Sequence, residues 1–155
     1  MAESLEAVFA EVYIKCKLYF YKRVFQRLAG REASLTATEA YSVEIINALG
    51  TPTVSEFAKF INISVANATY KVQNLIRKGY LRKKRSEADR RESHLYVTER
   101  YHEYQRLSDS NLNIILERIR QSCSTEDITG FERVLTTINN QLLPEVELHP
   151  KPPQP

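Results

Sequence analysis

Apolar residues recur at helical spacing over most of this chain. Three long segments carry the pattern, at about residues 4–29, 99–121 and 124–143. Between the first two lie shorter helical segments, of which two begin with a Thr followed three residues later by a Glu, at Thr36 and Thr53, as in a helix capping box. The pattern therefore predicts a mainly α-helical protein. The last helix is expected to direct one apolar face inward, formed by Ile128, Phe131, Val134, Leu135, Ile138 and Leu142.

Residues 64–98 differ from this pattern, because a short polar helix is followed by strand-like sequence. Ser64 is a suitable N-cap for the helix, and Gly79 suits the left-handed conformation that often ends one. Two segments of strand character follow, Tyr80–Lys84 and His94–Val97, joined by a polar stretch. With the short helix that precedes it, this order predicts a helix-turn-helix followed by a small β-hairpin wing.

The two ends of the chain are expected to form a separate helical region. The first helix carries a broad stripe rich in aromatic residues, and so long a helix at a chain end rarely finds enough of its own domain to cover such a stripe. We therefore expect residues 1–30 and 99–143 to form a dimerisation region and residues 34–98 to form the winged helix-turn-helix region. The Pro-rich residues 144–155 are expected to be an extended, disordered tail.

Basic residues are concentrated in the predicted winged segment. Residues 64–100 contain ten Lys and Arg against four Asp and Glu, a net charge of +6, whereas the whole chain carries only +3. Such local basicity is typical of a surface that contacts nucleic-acid phosphates, and a solvated hairpin without a partner accounts for it less well. In a helix-turn-helix the second helix enters the major groove of double-stranded DNA. The side chains that this helix is expected to offer are Ser64, Ala66, Asn67, Thr69, Tyr70, Lys71, Gln73 and Asn74.

The remaining composition argues against other classes of protein. At 155 residues the chain is most simply one domain, and no apolar run approaches the roughly 20 residues of a membrane span. Acidic residues near the start do not fit a signal peptide, so a cytoplasmic protein is expected. There is no Gly-rich phosphate loop, no nucleophile–base pair and no Cys/His cluster of metal-ligand spacing, so we expect no enzyme, no cofactor and no metal site. A pure protein-interaction module would not need the basic wing.

The stretch LIRKGYLRKKRSEADRRESHLYVT, residues 75–98, carries the most specific pattern. A helix ending in L-x-x-K-G is followed by a strand, a D-x-R tip, a second strand and then L-x-x-T, where the Thr is expected to cap the next helix. The pattern resembles that of the multiple antibiotic resistance regulator (MarR) family of bacterial winged-helix repressors, and the resemblance extends over roughly residues 5–143. The positions of the pattern are filled here by Leu75, Lys78, Gly79, Asp89, Arg91, Leu95 and Thr98.

The resemblance implies a homodimeric transcriptional regulator, expected to be a repressor, that binds a pseudo-palindromic operator. It also implies that Arg91 enters the minor groove while Asp89 holds its guanidinium group; a narrow A·T-rich groove attracts Arg by its negative potential. The other basic wing residues are expected to contact phosphates, adding affinity but little sequence information; they are Lys83, Lys84, Arg85 and Arg90. Tyr70 replaces the Arg usual in the middle of the recognition helix, which leaves the operator sequence open.

Two kinds of release signal are left open by the sequence. A small molecule or acyl chain would fit a cleft between the dimer helices and the winged region, lined by Tyr19, Phe20, Tyr41 and Tyr101. For any one of these aromatics ordinary core packing is the simpler interpretation, and the acyl alternative rests on a wing similar to that of the family's fatty-acid-synthesis repressors. An oxidant would act on Cys16, as in peroxide-sensing relatives, although a cysteine on an apolar stripe is usually a small hydrophobic residue.

Overall fold

The computed structural model describes residues 4–28, 35–86 and 92–146 of the chain. Within these ranges the structure is mainly α-helical with one β-hairpin, as the sequence predicts. A π-helical segment, Ile138–Leu142, extends the last helix. The helices and strands are α1 Leu5–Leu28, α2 Ala37–Ala48, α3 Val54–Phe60, α4 Val65–Arg77, β1 Leu81–Arg85, β2 Ser93–Val97, α5 Glu99–Ser122 and α6 Thr125–Thr137.

The predicted capping boxes begin α2 and α3. At α2 the Glu39 N–H donates to Thr36 Oγ1 over 3.3 Å, and the Thr36 N–H donates back to Glu39 Oε2 over 2.8 Å. The same reciprocal pair joins Thr53 and Glu56 at the start of α3, over 3.2 and 2.7 Å. Each box satisfies N–H groups that have no partner within the helix, so these two starts are set by local sequence.

One apolar core joins α2, α3, α4, the hairpin and the first turns of α5. Its largest fully buried side chains come from four different elements, and they are Val43, Ile46, Phe57, Leu75 and Leu95. Tyr101 and Tyr104 bring α5 into the same core. The helix-turn-helix and the hairpin are therefore packed as one unit, with α5 anchored to it.

The hairpin is fastened to the helices through the loop between α2 and α3. Its strands pair antiparallel, with Leu81 opposite Val97. On the other side of β2 the Leu95 N–H donates to the Pro52 carbonyl over 2.8 Å. β1 lies one residue later than predicted, and β2 begins one residue earlier. These contacts fix the direction in which β1 leaves α4.

Thr98 lies at the N-cap position of α5, but its side chain does not cap the helix. Its hydroxyl instead donates to the carbonyl oxygen of Gly79 over 2.6 Å. Gly79 has the left-handed backbone that the sequence predicts, with φ at +81°. The expected capping role was wrong because a carbonyl group at the end of α4 also needs a donor, and the fold brings Thr98 to it.

The apolar face of α6 lies on the surface of the single chain. Phe131 is 45% exposed and Val134 is 54% exposed, and α6 contains no buried residue. The sequence predicts that this face is directed inward, but contacts within one chain do not bury it. Large apolar side chains of α1 are exposed as well, including Leu5, Phe9 and Val12.

Candidate nucleic-acid interface

α4 is held by one apolar face and one N-terminal cap. Ala68, Val72 and Leu75 are buried against the core. Ser64 caps the helix as predicted, because its Oγ accepts from the Asn67 N–H over 3.2 Å. These contacts fix the rotation of α4 about its axis, so that its opposite face is turned to solvent.

The solvent-facing side of α4 carries the residues that the sequence predicts for DNA contact. Five of the eight are exposed, namely Ser64, Ala66, Asn67, Tyr70 and Gln73, while Thr69, Lys71 and Asn74 are partly buried. The Thr69 hydroxyl donates to the Val65 carbonyl over 2.8 Å, and the Asn74 side chain accepts from Arg77. Thr69 and Asn74 therefore have partners within the helix, whereas the Tyr70 side chain is 65% exposed.

Strand β1 adds a basic edge next to this helix. After the buried Leu81, all four remaining residues of the strand are exposed, and all four are basic: Arg82, Lys83, Lys84 and Arg85. The Arg82 guanidinium lies 5.6 Å from the centre of the Tyr96 ring on β2. The predicted tip residues Asp89, Arg90 and Arg91 lie outside the described residues.

Lys78 contributes to the fold of this surface. Its Nζ lies 2.7 Å from Glu39 Oε2, and the two side chains are only 25% and 16% exposed. Burial raises the pKa of Glu39, but the hydrogen bonds from Lys78 and Thr36 outweigh it and hold the pKa below its ordinary value. This ion pair ties the end of α4 to the start of α2.

A second group of polar residues lies where α5 meets α2. The Tyr104 hydroxyl donates to Glu44 Oε1 over 2.7 Å, and the Tyr101 ring is 6.0 Å from the Tyr104 ring. Burial raises the pKa of Glu44, and the hydrogen bond from Tyr104 opposes this only in part. Burial likewise raises the pKa of both tyrosines, and the nearby Glu44 carboxylate adds to that shift.

An apolar cavity of about 330 Å³ opens beside this carboxyl group, and we call it the Glu44 cavity. Of the four aromatic residues predicted to line a cleft, only Tyr41 lines it. Tyr101 is in the core, Phe20 packs at the core edge, and Tyr19 accepts a 3.3 Å hydrogen bond from Arg23. A cleft shared by all four between the dimer helices and the winged region stays a prediction. The cavity is lined by Tyr41, Glu44, Ile45, Ala48, Leu49, Phe60 and Val146.

Cys16 is exposed on α1 of the single chain. Both lysines that flank it in sequence have other partners. Lys15 forms an ion pair with Glu11, and the Lys17 ammonium lies 4.5 Å from the centre of the Tyr13 ring. A redox role for Cys16 stays a prediction.

Residues 4–28, 35–86 and 92–146 contain neither a metal-ligating cluster nor a membrane-spanning helix. In these ranges no three His, Cys, Asp or Glu side chains come together in a way that could hold a metal ion. No helix in the described part of the chain has the length and apolar character needed to cross a bilayer.

Comparison with known proteins gives one family match and several structural matches. The model of the MarR family matches residues 35–93. FabT of Streptococcus pneumoniae, in a crystal structure in complex with DNA, is 23% identical with a TM-score of 0.63; the match covers 90% of this chain and 97% of FabT. Among curated proteins no significant match is found.

Two further solved structures share the fold over nearly their whole length. A transcriptional regulator from Thermotoga maritima is 19% identical with a TM-score of 0.68, over 89% of this chain and 95% of its own. A MepR variant of S. aureus, bound to an oligodeoxyribonucleotide, is 14% identical with a TM-score of 0.59, over 91% and 99%. At these identities the likeness shows the fold, a winged helix with long terminal helices. The winged helix of this chain, within residues 35–93, is thus similar in sequence to the MarR family and similar in fold to these solved structures.

Proposed function

We propose that this chain is a sequence-specific regulator of transcription that binds double-stranded DNA as a homodimer and acts, in the cytoplasm, as a repressor at a pseudo-palindromic operator. One observation carries the proposal: the exposed polar face of α4 and the four exposed cations of β1 belong to one packed unit. Two structures of the same fold, FabT and the MepR variant, were solved with DNA bound.

In this proposal, α4 recognises the DNA sequence. Its exposed amides, Asn67 and Gln73, are the side-chain type that pairs with the adenine edge in the major groove. Tyr70 projects between them and offers an apolar ring to a thymine methyl group. Ser64 and Ala66 are small, which allows the start of the helix to approach the bases closely.

The proposed affinity comes mainly from the wing. The β1 cations would neutralise phosphates and release their counterions, so the affinity for DNA would fall steeply as salt is added. In a plot of the logarithm of the binding constant against the logarithm of the salt concentration, each phosphate contact adds about −0.9 to the slope. Arg91, with Asp89 as its support, is the proposed minor-groove residue. Lys78 is not among the phosphate contacts that we propose, because it is bound to Glu39.

The proposed dimer rests on the uncovered apolar faces of α1 and α6. Exposed Phe9 and Val12 on one helix and Phe131 and Val134 on the other form faces that water covers in the single chain. Burial against the same faces of a second copy would remove this surface from water. Residues 1–30 and 99–143 are therefore the proposed dimerisation region.

Modulation by a small ligand is part of the proposal. The described contacts favour neither an acyl ligand nor an oxidant acting on Cys16 over other signals, and both stay alternatives. The Glu44 cavity is the proposed place for such a ligand.

The test is selection of bound duplexes from a random pool, followed by fluorescence anisotropy of the selected duplex across a salt series. We expect a complex of two chains per duplex, a steep salt slope and a palindromic consensus. Gln73→Ala should relax the preference at one position of each half-site, while Lys83→Ala should weaken binding to all duplexes alike.

Arg118→Ala provides the matched control, because Arg118 is an exposed cation of α5 outside the winged helix. Equal losses from Lys83→Ala and Arg118→Ala would contradict the assignment of the wing. Salt-insensitive binding, or no enrichment of any sequence by a folded dimer, would contradict the proposed function as a whole.

A further inference from the structure

We propose that the Glu44 cavity is a binding site for an apolar molecule that carries a positively charged amine, and that the Glu44 carboxylate is the group that recognises the amine. Binding at this site does not require that the protein bind DNA. Only the consequence for DNA affinity, given below, rests on the proposed function.

The cavity has the size and walls of a small-molecule site. Its volume of about 330 Å³ lies at the lower end of the range of roughly 300–1,000 Å³ in which such sites fall. Among the described residues its walls are apolar or aromatic except at Glu44, so a compact apolar body would contact mainly apolar surface. One polar group among apolar walls is the arrangement that orients a ligand.

Glu44 lines the cavity and has no basic partner among the residues that the structure describes. The one hydrogen bond of its side chain among the described residues comes from Tyr104, to Oε1. No Lys, Arg or His of the described chain forms an ion pair with it. A partly buried carboxylate with one neutral donor is poorly compensated, as the raised pKa of Glu44 also indicates.

The surrounding groups favour a cation over an anion or a neutral polar ligand. Among the residues that the structure describes, the cavity wall contains one acidic residue and no basic one. The Tyr41 hydroxyl is already hydrogen-bonded to the Tyr21 hydroxyl, and Tyr41 also lines the cavity. An ammonium group would compete with Tyr104 for the Glu44 carboxylate and would contact the Tyr41 side chain.

The site lies between parts of the chain that must keep a fixed relation for DNA binding. α2 supplies most of the wall, Phe60 ends α3, and Tyr104 holds Glu44 from α5. A ligand that draws Glu44 away from Tyr104 would loosen the contact between α2 and α5. Under the proposed function we therefore expect bound amine to lower the affinity for the operator.

The experiment compares three probes that share one apolar body: 4-phenylbutylamine, 4-phenylbutanol and 4-phenylbutanoate. Each is titrated calorimetrically into the full-length protein near neutral pH. We expect the amine to bind roughly tenfold or more tightly than the carboxylate, with the alcohol between them.

Two variants locate the site. Glu44→Gln keeps an acceptor for Tyr104 and removes the charge, so the amine and the alcohol should bind within about a factor of two of each other. Ala48→Leu fills the cavity and should weaken all three probes without changing their order.

The proposal is overturned if the carboxylate binds as tightly as the amine, or if Glu44→Gln leaves the amine preference unchanged. It is also overturned if none of the probes binds. Operator binding is measured separately by anisotropy, so a protein that binds the amine but no DNA would refute the proposed function alone.

Discussion

The winged helix and the terminal helices differ in what covers their apolar side chains. In the winged helix Ile46, Phe57 and Leu75 are completely buried by contacts within one chain. In α6 no residue is buried, and Phe131 and Val134 stand about half exposed. α4 and α6 each carry an apolar face, but only that of α4 is buried within the chain, so amphipathicity alone does not say whether the covering surface belongs to the same chain.

The difference separates two sources of stability. The winged helix obtains its stability from internal packing, which does not depend on protein concentration. The terminal helices would gain stability from association with a second chain, so the fraction of them that is folded should depend on protein concentration. Substitutions in the two regions should therefore be distinguishable by whether dilution changes their effect.

The largest effect is expected from removal of a core side chain. Phe57→Ala should lower the free energy of unfolding by about 3–5 kcal/mol, because it deletes a fully buried ring and leaves a cavity. Phe60→Ala, on the same helix but 45% exposed, should cost less than about 1.5 kcal/mol. Urea denaturation followed by circular dichroism measures both, and similar losses would break the distinction between buried and exposed positions.

The next effect should appear in association and not in folding. Val134→Glu places a charge on the exposed apolar face of α6 and should weaken the dimer by about 2 kcal/mol or more, roughly 30-fold in dissociation constant. The winged helix should stay folded. Arg133→Glu, a neighbouring exposed charge, is the control, and sedimentation equilibrium is the measurement. An unchanged dimer constant for Val134→Glu would show that α6 is not covered by a second copy.

A third effect concerns DNA binding and separates two kinds of contact within the wing. Arg91→Ala should cost about 1–3 kcal/mol and reduce the preference for A·T-rich flanks. Lys84→Ala should lower affinity for all sequences and reduce the salt slope by about one unit. Anisotropy titrations at several salt concentrations measure both. Identical sequence preferences for Arg91→Ala and the unmodified protein would refute the minor-groove assignment.

The smallest effect is expected at the boundary between the two regions, where Glu44 meets α5. Because burial raises its pKa, the folded state favours the neutral carboxyl, so this stabilisation is present at low pH and is lost as pH rises through the raised pKa. Glu44→Gln stays neutral. The melting temperature of the Glu44→Gln variant minus that of the unmodified protein should therefore increase from about pH 4 to about pH 7.

Other titratable side chains face Glu44 and could contribute to the same pH dependence. These are Tyr101 and Tyr104 on α5 and Tyr21 on α1, which stay neutral over that interval because burial or hydrogen bonding raises the pKa of each. A difference in melting temperature that does not change with pH would show that Glu44 is not desolvated in the folded protein.

Much of the fold follows from local signals in the sequence. The capping boxes at Thr36 and Thr53, the N-cap at Ser64 and the left-handed Gly79 depend on side chains within a few residues of one another. The outward face of α4 follows from the spacing of its buried residues. Local signals of this kind are readable without knowledge of tertiary contacts.

The parts that sequence did not predict depend on contacts between distant segments. Nothing near Glu44 in sequence shows that Tyr104 will bury it or that a cavity will open beside it. The Lys78–Glu39 ion pair joins residues that are 39 positions apart. The apolar period of α6 predicts a face to be covered but not the chain that covers it. The candidate ligand site was therefore less predictable than the candidate DNA surface.

The hydrogen bond from Thr98 to Gly79 has a consequence for the length of the DNA site. It joins the end of α4 to the start of α5, and the Arg100 guanidinium, 5.2 Å from the centre of the Tyr80 ring, lies at the same junction. The recognition helix and α5 are thus expected to move together as one rigid arm. In a dimer the separation of the two half-sites would then be set by the angle between the two copies of α5. Spacing between half-sites would be a property of the terminal helices, while their sequence would be a property of α4.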